Sequence, residues 1–177
     1  MTRSALLLLL LVSELCSVAF AEPKPSELNT VPRVELTRYV GRWFEIAKYP
    51  NHFERECDRD TKAVYARLES GEIVVENSCT QADGKQKVST GKAKVVDERS
   101  NAKLKVTFFW PFYGDYWVID LDPQYRWAVV GEPRHKYLWI LSRMPHMDAA
   151  EYAQITSRLA AKGYDASKLV IVRQSAR

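Results

Sequence analysis

Three histidines, His52, His135 and His146, are the side chains of this chain best placed by type to move a proton near neutral pH or to bind a metal. They lie far apart in sequence, fall in segments with turn character and show none of the short spacings of a metal-ligand set. No serine stands in a Gly-x-Ser-x-Gly elbow. No cofactor or metal is expected. Cys57 and Cys79 are an even pair in a chain that carries export features, which suggests a disulfide worth roughly 3 kcal/mol in the chain-entropy view. The remaining chemistry is non-covalent. Glu45 is a carboxylate set among apolar residues, and Trp110-Pro111-Phe112-Tyr113 is an aromatic run. Arg143 carries a guanidinium that can stack on an indole such as Trp43 and donate to backbone carbonyls.

The N-terminus reads as an export signal. Met1-Thr2-Arg3 is a short basic start, Leu6 to Val12 is apolar, and Ala19-Phe20-Ala21 is a small-x-small cleavage site. Residues 1–21 are expected to be cleaved. Residues 22–33, with Pro23, Pro25 and Pro32, form an extended leader, and residues 34–177 one domain. No later stretch is long and apolar enough for a transmembrane helix. Cys16 could mark a lipid anchor, but Glu14 and Leu15 precede it where a lipobox wants small residues. The net charge of +4 is spread along the chain, so no nucleic-acid partner is expected.

The rest of the chain reads as short strands separated by turn signals. The expected strands are about Trp43–Tyr49, Thr61–Leu68, Glu72–Ser78, Lys87–Val96, Lys103–Phe109, Tyr116–Leu121, Tyr125–Gly131 and Tyr137–Ser142. Lys103, Lys105 and Thr107 alternate with Leu104, Val106 and Phe108, the period-2 pattern of a half-buried strand. Asp83-Gly84 is a hairpin turn. Asp148 with Glu151 is an Asp form of the capping box, followed by Tyr152, Ile155 and Leu159 at helical spacing and by Gly163 at a C′ position. One helix over about Ala149–Lys162 and a short strand over about Leu169–Val172 end the chain. The fold class is therefore all-β: an eight-stranded up-and-down antiparallel barrel with one C-terminal helix packed outside, large enough to hold one small ligand.

If every strand reverses, Gly41, Trp43, the Asp122–Gln124 turn and Arg143 share one end. Taken alone, Arg143 reads as a solvated charge. Parity places it against Trp43 as a plug in the barrel floor. The other end receives the aromatic run and both cysteines, where a bridge would pin the loop over about Pro50–Asp60. Alternation turns Glu45, Ala47 and Tyr49 inward, with Ala63 and Tyr65, then Leu104, Val106, Phe108 and Trp110, then Tyr116 and Val118, then Trp139 and Leu141. Glu45 is expected to serve as a buried hydrogen-bond partner of Tyr65 or Tyr116, with a polar contact to the ligand as the alternative.

Gly41-Arg42-Trp43, Asp120-Leu121-Asp122 ahead of Tyr125, and Leu138-Trp139-Ile140-Leu141-Ser142-Arg143 resemble, in order, three motifs of the lipocalins. Tyr39-Val40-Gly41-Arg42-Trp43-Phe44-Glu45-Ile46-Ala47 and Pro111-Phe112-Tyr113-Gly114-Asp115-Tyr116-Trp117 are similar to bacterial outer-membrane lipocalins and to apolipoprotein D. The resemblance runs from about Val34 to Val172. It implies a barrel that binds a small apolar molecule, a fatty acid or lysophospholipid, for envelope lipid maintenance, with Tyr65, Trp110 and Trp139 among its walls. Phe112 and Tyr113 would line the mouth. Arg55, Arg59, Arg134, His135 and Lys136 at the rim are candidates to meet a head group. The expected location is periplasmic; outer-membrane association, peripheral membrane contact and a homodimer stay open. Two other classes remain in view. A lipocalin-fold enzyme acting on a hydrophobic substrate would use Glu45. A membrane-spanning barrel would need apolar side chains outside and would bring Lys103 and Lys105 into the lumen.

Overall fold

The computed structural model describes residues 28–175, and the predicted signal peptide with the first half of the leader lies outside them. Eight strands run in chain order: β1 (Gly41–Lys48), β2 (Cys57–Arg67), β3 (Ile73–Gln81), β4 (Gln86–Val95), β5 (Lys103–Phe109), β6 (Phe112–Leu121), β7 (Trp127–Gly131) and β8 (Leu138–Ser142). Each pairs antiparallel with the next, and β1 pairs with both β8 and β2, so the sheet closes into a barrel. Beyond Phe44↔Lys62 no further β1–β2 pair forms. There a two-residue strand, β9 (Val170–Ile171), takes up the freed edge of Ala47 and Lys48.

Two apolar cores follow from the period of two. Leu104, Val118, Val130 and Leu141 fill the barrel interior. Ile119, Val129 and Ile140, each one residue from an inward neighbour, point outward with Leu138 and bury against Ile155 and Leu159. Those two residues belong to the C-terminal helical segment. Helix α2 spans Ala149–Ser157, and its Asp148 cap accepts from the backbone of Ala150 and Glu151. Sequence periodicity predicts one helix as far as Lys162. Instead the last turn tightens to 3-10 geometry over Ala160–Lys162 and ends on Gly163 at φ 79°. Ahead of β1, where the sequence gives only an approach to the strand, Leu36–Tyr39 forms one helical turn, α1. Its Tyr39 is buried in the lumen core.

Strand limits differ from expectation at two places that matter. β6 begins at Phe112 rather than near Tyr116, with Phe109 paired to Phe112. The aromatic run is thus the tip of a long hairpin, not a loop folded over the mouth. β2 begins at Cys57, so the bridge to Cys79 joins two neighbouring strands at a Cα separation of 5.5 Å rather than pinning a loop.

The outer face of β4 and β5 is charged. Lys92 pairs with Glu72, Lys105 with Asp115, and the Lys103 ammonium lies 4.3 Å from the Trp117 ring centre. With apolar residues inside and lysines outside, this barrel has the reverse of the pattern of a lipid-facing one.

Candidate functional site

The lumen has a floor, an aromatic middle and a charged upper wall. At the floor the Arg143 guanidinium lies 3.7 Å from the Trp43 ring centre. It donates to the carbonyls of Arg42 (2.7 Å), Arg38 (2.7 Å), Val40 (3.0 Å) and Tyr39 (3.1 Å). The Trp43 indole N–H donates to Tyr39 O at 2.7 Å. One cation therefore closes the last turn of α1 and the start of β1. Gly41 is required twice over: its φ is +96°, and a Cβ there would meet Arg143 Nη1 at 3.3 Å. Asp122 is buried beside this floor and fixes the β6–β7 turn, accepting from Gln124 N, Arg126 N and the Arg126 side chain. The Arg126 guanidinium holds the Asp122 carboxyl below its ordinary range. Asp120 points outward to Arg158 beyond α2, at 2.9 Å.

Three tyrosines meet above the floor. Tyr39 and Tyr116 hydroxyls are 2.7 Å apart, and Tyr65 donates to Tyr116 at 3.1 Å. Burial pushes the Tyr65 phenol up to about 12 and raises those of Tyr39 and Tyr116 as well, so all three stay neutral donors and acceptors at physiological pH. The tyrosines satisfy one another, and Glu45 bonds to neither Tyr65 nor Tyr116. An apolar void of about 10 Å³, water-sized, lies among Leu36, Tyr39, Tyr65 and Leu104.

Glu45 faces a different partner because of a β-bulge. The β1–β8 register runs Glu45↔Leu141, then Ala47↔Ile140 and Lys48↔Trp139, with one extra residue between Glu45 and Ala47. The alternation predicted from Trp43 holds to Glu45 and inverts beyond it. Ala47 and Tyr49, expected inside, belong to the outer core under the helical segment. The Tyr49 hydroxyl donates to Asp165 O and accepts from Asp165 N. Lys48 turns inward instead, its ammonium 3.2 Å from Glu45 Oε1. Glu54, from the β1–β2 loop, reaches in to pair with the same ammonium through Oε2, while its Oε1 accepts from the Trp139 indole at 3.1 Å. Desolvation, reinforced by the nearby Glu54 charge, holds the Glu45 carboxyl well above its ordinary range. Burial acts to lower the Lys48 ammonium, but Glu45 and Glu54 outweigh it and raise it.

Ala63, Val106, Phe108, Tyr116 and Trp139 face inward yet remain only half-buried, so solvent reaches them down the lumen. Tyr65 and Leu141 are buried beneath. Trp110, expected in the wall, and Phe112 and Tyr113, expected at the mouth, lie elsewhere. Trp110 and Phe112 are 82% and 78% exposed at the hairpin tip, since continued β5–β6 pairing carries them past the rim. Tyr113 faces outward, with the Lys94 ammonium 4.4 Å from its ring centre. Of the rim cations, Arg59 pairs with Asp58, Arg134 with Glu132, and the His135 ring meets Lys162 O. Lys48 and Glu54 were not legible as site residues. Lys48 is one of three charged residues in β1, beside Arg42 and Glu45, and without the bulge its parity points it outward. Among the described residues no cluster of three His, Cys, Asp or Glu side chains could hold a metal.

Comparison with known proteins agrees with this architecture. A family model described as a lipocalin-like domain matches residues 34–174. Temperature-induced lipocalin-1 of Arabidopsis thaliana is 40% identical over 157 residues, covering 84% of each chain. Outer membrane lipoprotein Blc of Citrobacter freundii is 40% identical over 159 residues and 89% of each chain. Apolipoprotein D of Macaca fascicularis is 33% identical over 183 residues and 95% of each. Among solved structures, insecticyanin from the tobacco hornworm Manduca sexta superposes with a TM-score of 0.70 at 21% identity, over 86% of this chain and 87% of that one. Motifs, barrel and relatives together place the chain in the lipocalin family.

Proposed function

We propose that this protein binds a fatty acid or lysophospholipid in its barrel and stores or carries it in the cell envelope of the exporting cell. Lipocalins bind small hydrophobic ligands. The observation that carries the finer reading is the set of inward, half-buried apolar residues Ala63, Val106, Phe108, Tyr116 and Trp139, an apolar wall that solvent still reaches. At about 0.8 kcal/mol per buried CH₂, a sixteen-carbon chain laid against such a wall would contribute on the order of 10 kcal/mol before ordering costs. That is enough for micromolar binding or better. Two relatives are named as lipoproteins, one of the outer membrane, which supports a lipid ligand and an exported, envelope location.

Exposed Phe53, Phe109, Trp110 and Phe112 lie at the end where the lumen opens. They support peripheral contact of that end with a membrane surface, where amphipathic aromatic rings favour the headgroup boundary. Native mass spectrometry of the mature chain purified without detergent tests the ligand. An adduct with the mass of a fatty acid or lysophospholipid is expected. A bare chain that also fails to bind either class in a tryptophan-fluorescence titration would overturn the reading.

A further inference from the structure

We propose that Lys48 and the Trp139 indole form an anchoring subsite for the anionic head group of the lumen ligand, and that Glu54 is a built-in stand-in which that head group displaces. The inference rests on the reading that the barrel takes a long-chain lipid.

Glu54 already demonstrates the fit. Its carboxylate is bidentate, with one oxygen on the Lys48 ammonium and the other 3.1 Å from the Trp139 indole nitrogen. Two donors from opposed strand positions thus converge on one carboxylate inside the barrel. Lys48 is 9% exposed and Glu45 5%, so the ammonium is held in a desolvated place that an apolar side chain could fill at lower cost. The counter-charge is not on a strand. It comes from the loop between β1 and β2, whose neighbouring Phe53 rests on Tyr137 at 5.2 Å. The loop backbone is held by Glu54 N donating to Asn51 Oδ1 at 3.1 Å and by Cys57 N donating to Glu54 O at 2.9 Å, and its Glu56 pairs with Lys87 at 2.7 Å. None of these ties uses the Glu54 carboxylate, so that side chain can swing off Lys48 and leave the strands in register.

The same barrel face carries buried polar atoms without a hydrogen-bond partner. Glu45 Oε1, Thr61 Oγ1 and Asn77 Oδ1 are buried without a hydrogen-bond partner among the described residues. Glu45 Oε1 lies near the Lys48 ammonium, but not in hydrogen-bonding geometry. All three belong to the lumen-facing alternation of β1, β2 and β3, where Ala63 opposes Asn77. Unsatisfied buried polar groups are costly. A carboxylate on Lys48 would match the two oxygens of Glu54, and a phosphate would bring more; the Thr61 hydroxyl is able to donate to either. Burial and the Glu54 charge raise the Glu45 carboxyl well above its ordinary range, which favours its protonated, donating form.

The test titrates tryptophan fluorescence with palmitate, hexadecyl phosphate and 1-hexadecanol, each below its aggregation limit. The chains are equal in length, so only the head differs. Wild type is expected to bind at least one anion about tenfold more tightly than the alcohol, the worth of a charge-assisted contact. Whichever anion is preferred identifies carboxylate or phosphate as the source. Lys48→Met should erase that preference while keeping the alcohol affinity. Glu54→Gln should tighten the anions by about tenfold and leave the alcohol unchanged, because the competing charge is gone. Equal binding of acid and alcohol by wild type, parallel weakening of all three in Lys48→Met, or weaker anion binding in Glu54→Gln would overturn the subsite while leaving the lipid reading intact. Failure of wild type to bind any of the three would overturn the lipid reading itself, and the subsite with it. Should Lys48→Met not fold by circular dichroism, Trp139→Phe and Glu54→Gln decide, with Trp139→Phe expected to reduce the anion preference.

Discussion

Arg143 stacks on Trp43 at 3.7 Å and at the same time collects the carbonyls of Arg38, Tyr39, Val40 and Arg42. These carbonyls belong to the end of α1 and the entry to β1, which the Trp43 indole also links by donating to Tyr39 O. Replacing the arginine removes the donor the four carbonyls share and uncovers the indole. Arg143→Met should cost about 3 kcal/mol, from lost charge-assisted bonds and the cation–π contact. The thermal midpoint should fall by roughly 10 °C. Arg143→Lys should recover little, because an ammonium cannot span four carbonyls and lie flat on a ring. Calorimetry of the two variants checks this.

The bulge between Glu45 and Ala47 separates residues that act on stability from residues that act on ligand. Tyr49 lies under the helical segment, with its hydroxyl shared by Asp165 N and O. Tyr49→Phe should lose about 1 kcal/mol of stability and leave ligand affinity unchanged. Val106 faces the lumen across from Gly114 and packs against the lumen core. Val106→Trp should cost about 1–3 kcal/mol by overpacking and lower lipid affinity by at least about tenfold, since the indole would stand where the chain must pass. Urea unfolding and a fluorescence titration on each variant separate the two effects.

These two positions show what the sequence carried and what it did not. The Lys-Leu-Lys-Val-Thr-Phe alternation names β5 to the residue, and the Asp148 cap marks the start of α2. Strand parity alone brings Trp43 and Arg143 to one end. Parity fails at Ala47 and Tyr49 because a bulge adds one residue without any sequence mark such as Gly or Pro. Trp110 and Phe112 look like wall residues by composition, but the hairpin stays paired past the rim and carries them outside. Lys48 and Glu54 escaped for a related reason. Their chemistry appears only when a bulge turns one inward and a loop brings in the other. Helix α1 has no side-chain cap at Glu35 to announce it.

Glu45 makes stability depend on pH in a stated direction. Its folded value is raised by burial and by Glu54 above the ordinary 4.5. As pH rises past that ordinary value, the unfolded chain gives up its proton while the folded chain keeps it. Stability from this group is therefore full at lower pH, declines through the window between the two values and is level above the folded one. Glu45→Gln cannot titrate, so relative to wild type it should gain stability across that window and then stay parallel. Lys48 acts elsewhere: its value lies above 10.5, so its contribution is lost only in strong alkali. Urea midpoints of both proteins between about pH 4 and 8 measure the difference. A constant difference at every pH would show that Glu45 is ionised throughout.

The Cys57–Cys79 bridge spans a sequence separation of 22 between strands already joined by a hairpin ladder. Its removal should therefore leave the fold and cost stability through the unfolded chain. Cys57→Ala with Cys79→Ala should lose roughly 3 kcal/mol, lower the thermal midpoint by about 10 °C and keep the circular dichroism of the barrel. An unchanged midpoint would show that the ladder alone already restrains the unfolded segment.

Trp110 is the most exposed of the large apolar side chains at the open end, beside Phe109 and Phe112. If this tip meets a membrane, Trp110 enters the headgroup boundary first, and its emission should shift to the blue when phosphatidylcholine–phosphatidylglycerol vesicles are added. The protein should then float with the vesicles on a density gradient. Trp110→Ser with Phe112→Ser should abolish flotation without changing the melting temperature, because neither ring is packed in a core. Sedimentation without vesicles separates the competing occupant: a concentration-dependent dimer that the same double variant dissolves would mean that a second copy, not a bilayer, covers the tip. Loss of flotation with a monomer at every concentration would assign the tip to the membrane, with the lumen mouth facing the lipid it loads from.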